Sequence, residues 1–166
     1  MCSATAAADR GFFNNGSFAV SFLDRTHAPM HRGKETGVTA TLEKAFGYQG
    51  DNMNLPVRDL AAALPFYQTV LGFRVVSRSD APHNSAVLAR DQIQVGLAEN
   101  GGDSTQDGCA FHVKDLESLF AEFKANGLHK ELSGFNIEQR DGAPWKVFYV
   151  VAPDGLCYWF GERQAG

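Results

Sequence analysis

Behind Asp115 the apolar side chains fall at Leu116, Leu119, Phe120 and Phe123. That three- and four-residue spacing lays one buried stripe along a helix. Behind Asp59 the residues Leu60, Leu64, Tyr67 and Leu71 repeat it. Each aspartate stands where a carboxylate accepts the free N–H groups of a first helical turn. Each helical pattern runs to a glycine, Gly72 or Gly127, and Asn126-Gly127 suits a C-terminal stop. Pro65 lacks an N–H and is expected to bend or shorten the first helix in its early turns.

Strand-like runs flank both helices. In the first half they fall at 73–77, 86–89 and 93–97, with Arg90-Asp91 as a hairpin turn. In the second half 109–113 precedes the helix, and 145–151 and 156–161 follow it, with 137–140 as a further candidate. Pro153-Asp154-Gly155 joins the last two; proline fixes φ and glycine supplies positive φ. The phrase Val57-Arg58-Asp59-Leu60 returns 56 residues later as Val113-Lys114-Asp115-Leu116. A repeat at fixed offset means two copies of one unit.

The division expected is therefore an N-terminal extension over 1–50 and a domain over 51–163, with halves at about 51–100 and 107–162. The first fifty residues are rich in Gly, Asn, Thr and Ser with short apolar islands. A strand at 18–23 and a short helix at 39–46 are expected there, packed on the domain or on a partner subunit, or else partly disordered.

Composition narrows the function classes. The 166 residues are 44% hydrophobic and 20% charged, ordinary values for a globular chain. A net charge of -4 is too mild, and too unclustered, for a nucleic-acid partner. Three widely spaced cysteines, an odd count with no C-x-x-C pair, argue against a disulfide framework. No apolar run has the length of a membrane span or the form of a secretory signal. A soluble, cytoplasmic protein with neither membrane nor nucleic-acid partner is expected.

Several phrases resemble one known family. They are Phe66-Tyr67 with Val70-Leu71-Gly72-Phe73, Leu55-Pro56-Val57-Arg58-Asp59, Pro144-Trp145, and Pro153-Asp154-Gly155, the last with Ala152 where the family carries aspartate. In order and spacing they resemble the glyoxalase, bleomycin-resistance and extradiol-dioxygenase (vicinal oxygen chelate) superfamily. The resemblance implies an α+β fold: two βαβββ modules forming a curled mixed sheet with a cleft. It places the metal-ligand positions of the metal-using members on Asn52, near Gly96, on Gly108 and on Trp159. None of these is a good ligand, whereas a divalent site needs about three N, O or S donors. The resemblance thus points to the metal-free branch, whose members sequester bleomycin-like or mitomycin-like antibiotics as dimers with shared grooves. It implies binding of a planar or heteroaromatic ligand without turnover, no cofactor, and a homodimer. The alternative is a metal-dependent lyase, isomerase or dioxygenase with a rearranged site, for which His112, Gln94 and Glu99 are the nearest donors.

The ligand-binding candidates are Asn54, Gln94, His112, Trp145, Phe148 and Trp159; no catalytic residue is assigned. Trp145 and Trp159 offer faces for stacking, set against a plain packing role in a core or interface. Phe148 is weighted toward the core. His112 shares strand parity with Gly108 and should face the cleft, where its titration range suits acid–base work. Asn54 and Gln94 share parity with Asn52 and Gly96, and are either hydrogen-bonding groups or a solvated face. His27 and His31 have the spacing of a helical zinc pair, but Pro29 between them favours a surface loop. Cys157 reads as a small buried residue, and Glu138 to Gly142 as a charged hairpin that borders the groove or is simply solvated.

Overall fold

A computed structural model describes residues 40–129 and 133–165. The expected strand at 18–23 and the pair His27 and His31 lie outside the described residues. Contacts group the described residues into one compact unit.

The first module comprises β2 (Leu55–Pro56), α1 (Leu60–Thr69), β3 (Arg74–Ser79), β4 (Ser85–Arg90) and β5 (Ile93–Ala98), after a leading strand β1 (Thr41–Gly47). A short 3-10 turn at Ser104–Gln106 leads to the second module. That module comprises β6 (Gly108–Lys114), α2 (Leu116–Ala125), β7 (Asn136–Arg140), β8 (Ala143–Val151) and β9 (Cys157–Arg163). The first sheet is ordered β2-β5-β4-β3; the second is β6-β9-β8-β7 with β1 added on β6. In each module the first strand pairs parallel with the last, β2 with β5 and β6 with β9, and the remaining pairs are antiparallel. The repeated phrase thus marks a repeated βαβββ topology, and the fold is mixed α+β with two mixed sheets.

The helices form where their caps and stripes require. Asp59 Oδ1 accepts the Ala62 N–H at 2.9 Å, and Asp115 Oδ1 accepts that of Ser118 at 3.1 Å. Leu60, Leu64, Tyr67 and Leu71 are buried, as are Leu116, Leu119 and Phe123. Gly127 ends α2 at φ 97°, and Leu128 N–H reaches back to the Phe123 carbonyl at 2.9 Å. Hairpin turns use positive φ at Asp91 (50°) and at Asp141-Gly142 (51° and 71°), which suits tight two-residue loops.

Three local expectations change. The helix expected at 39–46 is strand β1, because its backbone is taken up in a ladder running from Thr41 opposite Lys114 to Gly47 opposite Cys109. A long-range ladder outweighs the helix propensity of Leu42-Glu43-Lys44-Ala45. Helix α1 runs through Pro65 without being shortened: the proline lies in the second turn, where it removes one bond to the Ala61 carbonyl. The turn after β4 is Asp91-Gln92, one residue later than expected.

One large core lies between the helices and the inner faces of the sheets, and includes Phe111, Phe148, Tyr158 and Phe160. A smaller cluster of Ala110, Trp145, Val147 and Trp159, with Tyr149 packed against it, lies on the opposite face of the second sheet. Strand alternation sends neighbours in β6, β8 and β9 to these two destinations.

Candidate functional site

The face that carries the smaller cluster gathers three of the six expected residues. His112 from β6 lies 4.5 Å from Trp145 and 6.1 Å from Trp159, ring centre to ring centre, and the two indoles are 5.6 Å apart. The cause is pairing. His112 stands opposite Gly161 and Tyr149 opposite Trp159, so alternate residues of three neighbouring strands share one side. Gly161 makes room: a Cβ there would meet the Trp159 ring at 2.0 Å, so the indole lies directly over it.

The other expected residues lie elsewhere. Phe148 is fully buried on the helix-facing side, with its ring 5.1 Å from Phe160, so a place for it in a groove on the aromatic face is corrected. The reason is parity, because Phe148 is one residue from both Val147 and Tyr149. Gln94 is exposed on the first sheet, and its backbone carbonyl accepts the Asn52 side chain at 2.8 Å. Asn54 is exposed and bonded to Asn100. Neither has a ring contact or hydrogen bond to the aromatic face.

Trp145 and Trp159 are 9% and 1% exposed, so the indoles form a covered floor rather than an open stacking surface. The skin above them comes from residues the hydrophobic pattern left unassigned. Phe46, from β1, lies 5.0 Å from His112. Glu138 Oε2 accepts the Trp159 indole N–H at 3.1 Å, and its Oε1 accepts the Tyr149 hydroxyl at 2.6 Å. The Arg140 guanidinium lies 4.5 Å from the centre of the Trp159 ring. Glu138 and Arg140 are alternate residues of β7, and Glu138 is paired with Trp145, which is the parity signal that could have placed them here. The contribution of β1 had no such signal, since 39–46 reads as a helix.

The electrostatics follow from burial. Burial, then the positive charges of Lys44 and Arg140, hold His112 below the ordinary imidazole value. Burial, then the hydrogen bond and charge of Glu138, push the Tyr149 hydroxyl up to about 12. The Tyr48 hydroxyl is raised further, again chiefly by burial. At neutral pH the face therefore offers a neutral imidazole, neutral phenols and two indoles. The Trp145 indole nitrogen is buried and has no hydrogen-bond partner among the described residues.

The positions matched to metal ligands do not fit a metal. A Cβ at Gly96 would stand 1.9 Å from the Met53 carbonyl oxygen, and one at Gly108 would stand 1.7 Å from that of Cys157. Backbone fills the space where a ligand side chain would begin. Of the other donors considered, Glu99 is engaged by the Leu60 N–H and the Asn84 side chain, both at 2.8 Å. Among the described residues no three His, Cys, Asp or Glu side chains converge as a metal site. Surface clefts of about 490 and 460 Å³ lie along α1, one beside Arg78, Asn84 and Glu99 and the other beside Phe66, Thr105 and Asp154. Neither of these two clefts is lined by a residue of the aromatic face.

Residues 50–134 match the model of the Glyoxalase/Bleomycin resistance protein/Dioxygenase superfamily. No curated protein matches the chain. Among solved structures, the bleomycin resistance determinant encoded on the transposon Tn5 aligns with TM-score 0.56 and 22% identity, over 68% of this chain and 96% of that one. A structure from the mobile metagenome of V. Pseudocholerae aligns with TM-score 0.54 and 18% identity, over 69% and 94%. A glyoxalase-related enzyme from Clostridium phytofermentans aligns with TM-score 0.51 and 15% identity, over 68% and 92%. At these identities the likeness establishes a common fold. Among the described residues no helix is long and apolar enough to cross a membrane.

Proposed function

The chain belongs to the Glyoxalase/Bleomycin resistance protein/Dioxygenase superfamily, and from that membership we propose that it binds and sequesters a small planar or heteroaromatic molecule, without turnover, on the aromatic face of its second module. The observation that carries this reading is the convergence of His112, Trp145 and Trp159 around a buried indole N–H that has no acceptor among the described residues. A buried donor left unpaired costs about 1–3 kcal/mol, which a ligand acceptor would recover. Aromatic side chains bury large areas at low entropic cost, which suits a flat ligand. The steric block at Gly96 and Gly108 supports binding rather than metal-assisted chemistry.

The reading includes a homodimer. Phe46 and Tyr48 are 49% and 42% exposed at one edge of the second sheet, and Phe135 and Ile137 are 38% and 64% exposed at the other. Exposed apolar groups at sheet edges favour a second copy as cover.

The test is calorimetric titration of the full chain with bleomycin, mitomycin C and a panel of neutral and charged heteroaromatic compounds, with metal content measured in parallel. Saturable binding at one site per chain, lost in Trp159→Ala, is expected, with the ligand recovered unchanged. Absence of binding across the panel would sink the proposal. One tightly held metal per chain would replace it with an enzyme reading built near His112.

A further inference from the structure

We propose that Arg140 is an intramolecular occupant of the ligand position, and that the aromatic face takes planar cations by exchange with it. The inference rests on the binding reading above and deepens it by naming the ligand class.

Trp159 lies between two neighbours. Gly161 is beneath its six-membered ring, where even a Cβ would collide at 2.0 Å. Over the indole lies the Arg140 guanidinium, 4.5 Å from the ring centre. A flat ligand that stacks on Trp159 must therefore take the place of this group. Arg140 is suited to leave. It is an exposed side chain at the end of the edge strand β7, next to the Asp141-Gly142 turn. Among the described residues it forms no ion pair, so the indole is its principal partner.

The guanidinium also reports what the position accepts. It is planar, cationic and weakly hydrated, and it stacks on aromatic faces. The electrostatic reason is nearby: Glu138 lies at the edge of the same indole, bonded to its N–H at 3.1 Å and to Tyr149 at 2.6 Å. One hydrogen bond per oxygen leaves a carboxylate with further acceptor capacity. An incoming amidinium or protonated heteroaromatic ring would keep both the ring quadrupole and the Glu138 charge satisfied. A neutral ring of the same shape would give up the guanidinium's contact with the Trp159 ring and bring no cation in its place.

The chain has two tryptophans, so its two indole N–H resonances report on this face directly. The experiment titrates the ¹⁵N-labelled full chain with benzamidine and with its neutral isostere benzamide, in wild type, Arg140→Ala and Arg140→Lys. Benzamidine is expected to shift the Trp159 resonance saturably, and benzamide to bind at least about ten-fold more weakly. Arg140→Ala is expected to tighten benzamidine about two- to five-fold, the size of an exposed cation–π contact. Arg140→Lys, which keeps a cation but not its plane, should fall between. Equal binding of the two probes, or unchanged benzamidine affinity in Arg140→Ala, would overturn the exchange inference and leave the binding site standing. Failure of both probes to move either resonance, even in Arg140→Ala, would remove the site itself.

Discussion

Trp159 donates its indole N–H to Glu138 Oε2 at 3.1 Å, across 21 residues of chain and from β9 to β7, strands that are not paired with each other. The bond spans β8, whose Tyr149 holds the other oxygen of the same carboxylate at 2.6 Å. Glu138 therefore sets the ring plane of Trp159. Glu138→Ala would leave the indole and the phenol without their acceptor, and is expected to cost about 1–3 kcal/mol. Glu138→Gln keeps one carbonyl acceptor and should cost less. Urea unfolding measures the loss, and near-UV circular dichroism should show altered tryptophan bands in the alanine variant while far-UV signal stays intact.

Gly161→Ala tests whether the indole is held against β9. The added Cβ would meet three Trp159 ring atoms at 2.0, 2.4 and 2.5 Å, so the ring must move. Overpacking of this kind typically costs about 1–3 kcal/mol. The variant is expected to fold, to lower the urea midpoint and to make Trp159 more accessible to acrylamide. A variant with wild-type quenching and stability would mean that the indole does not rest there.

The repeat, the two aspartate caps and the helix stripes were legible in the sequence because they depend on local periodicity and on the order of short phrases. His112 was turned toward the cleft by its parity with Gly108 and Trp159 by the family resemblance, whereas the side shared with Trp145 follows only from the pairing register of β6, β9 and β8. What covers them was not legible. Strand β1 is written in helix-forming residues and becomes a strand only through its ladder with β6. Glu138 and Arg140 read as a charged hairpin, either bordering the groove or solvated, because a charged residue that covers an indole has the same composition as one that faces water. Phe148 shows the limit of residue type as a guide: an aromatic one position from Tyr149 belongs to the opposite face.

His112 predicts a pH dependence of stability. Its folded value is held below the ordinary imidazole value, by burial first and then by Lys44 and Arg140. Below an unfolded value of about 6.5 the unfolded chain therefore binds more protons than the folded one, and stability rises with pH through that window. The contribution is present above the unfolded value and is lost as pH falls through the folded one. Thermal unfolding at pH 7.5 and pH 5 should show a drop that is smaller in His112→Gln. A drop of equal size in the variant would assign the dependence to other groups.

Arg90 offers the sharpest test of how the two modules are joined. It is 9% exposed, donates to the Leu71 carbonyl at 2.5 Å and to Glu122 Oε2 at 2.8 Å, and so ties the end of α1 to α2. Gly72 is needed beside it twice over: its φ is 72°, and a Cβ there would stand 2.8 Å from the guanidinium. Arg90→Ala would strand a buried carbonyl and a carboxylate, and leave a gap against Phe123, whose ring centre is 5.8 Å from the guanidinium carbon. Stranding the buried Leu71 carbonyl and removing the partner of a partly exposed carboxylate is expected to cost about 1–3 kcal/mol. Glu122→Ala should cost less, because Glu122 is 34% exposed and Arg90 would keep its bond to Leu71. A double-mutant cycle by urea unfolding isolates the pair. Coupling of about 1 kcal/mol or more would identify the guanidinium–carboxylate contact as a working link between the helices. Coupling near zero, with Arg90→Ala still strongly destabilising, would place the whole effect on the Leu71 carbonyl and on packing against Phe123.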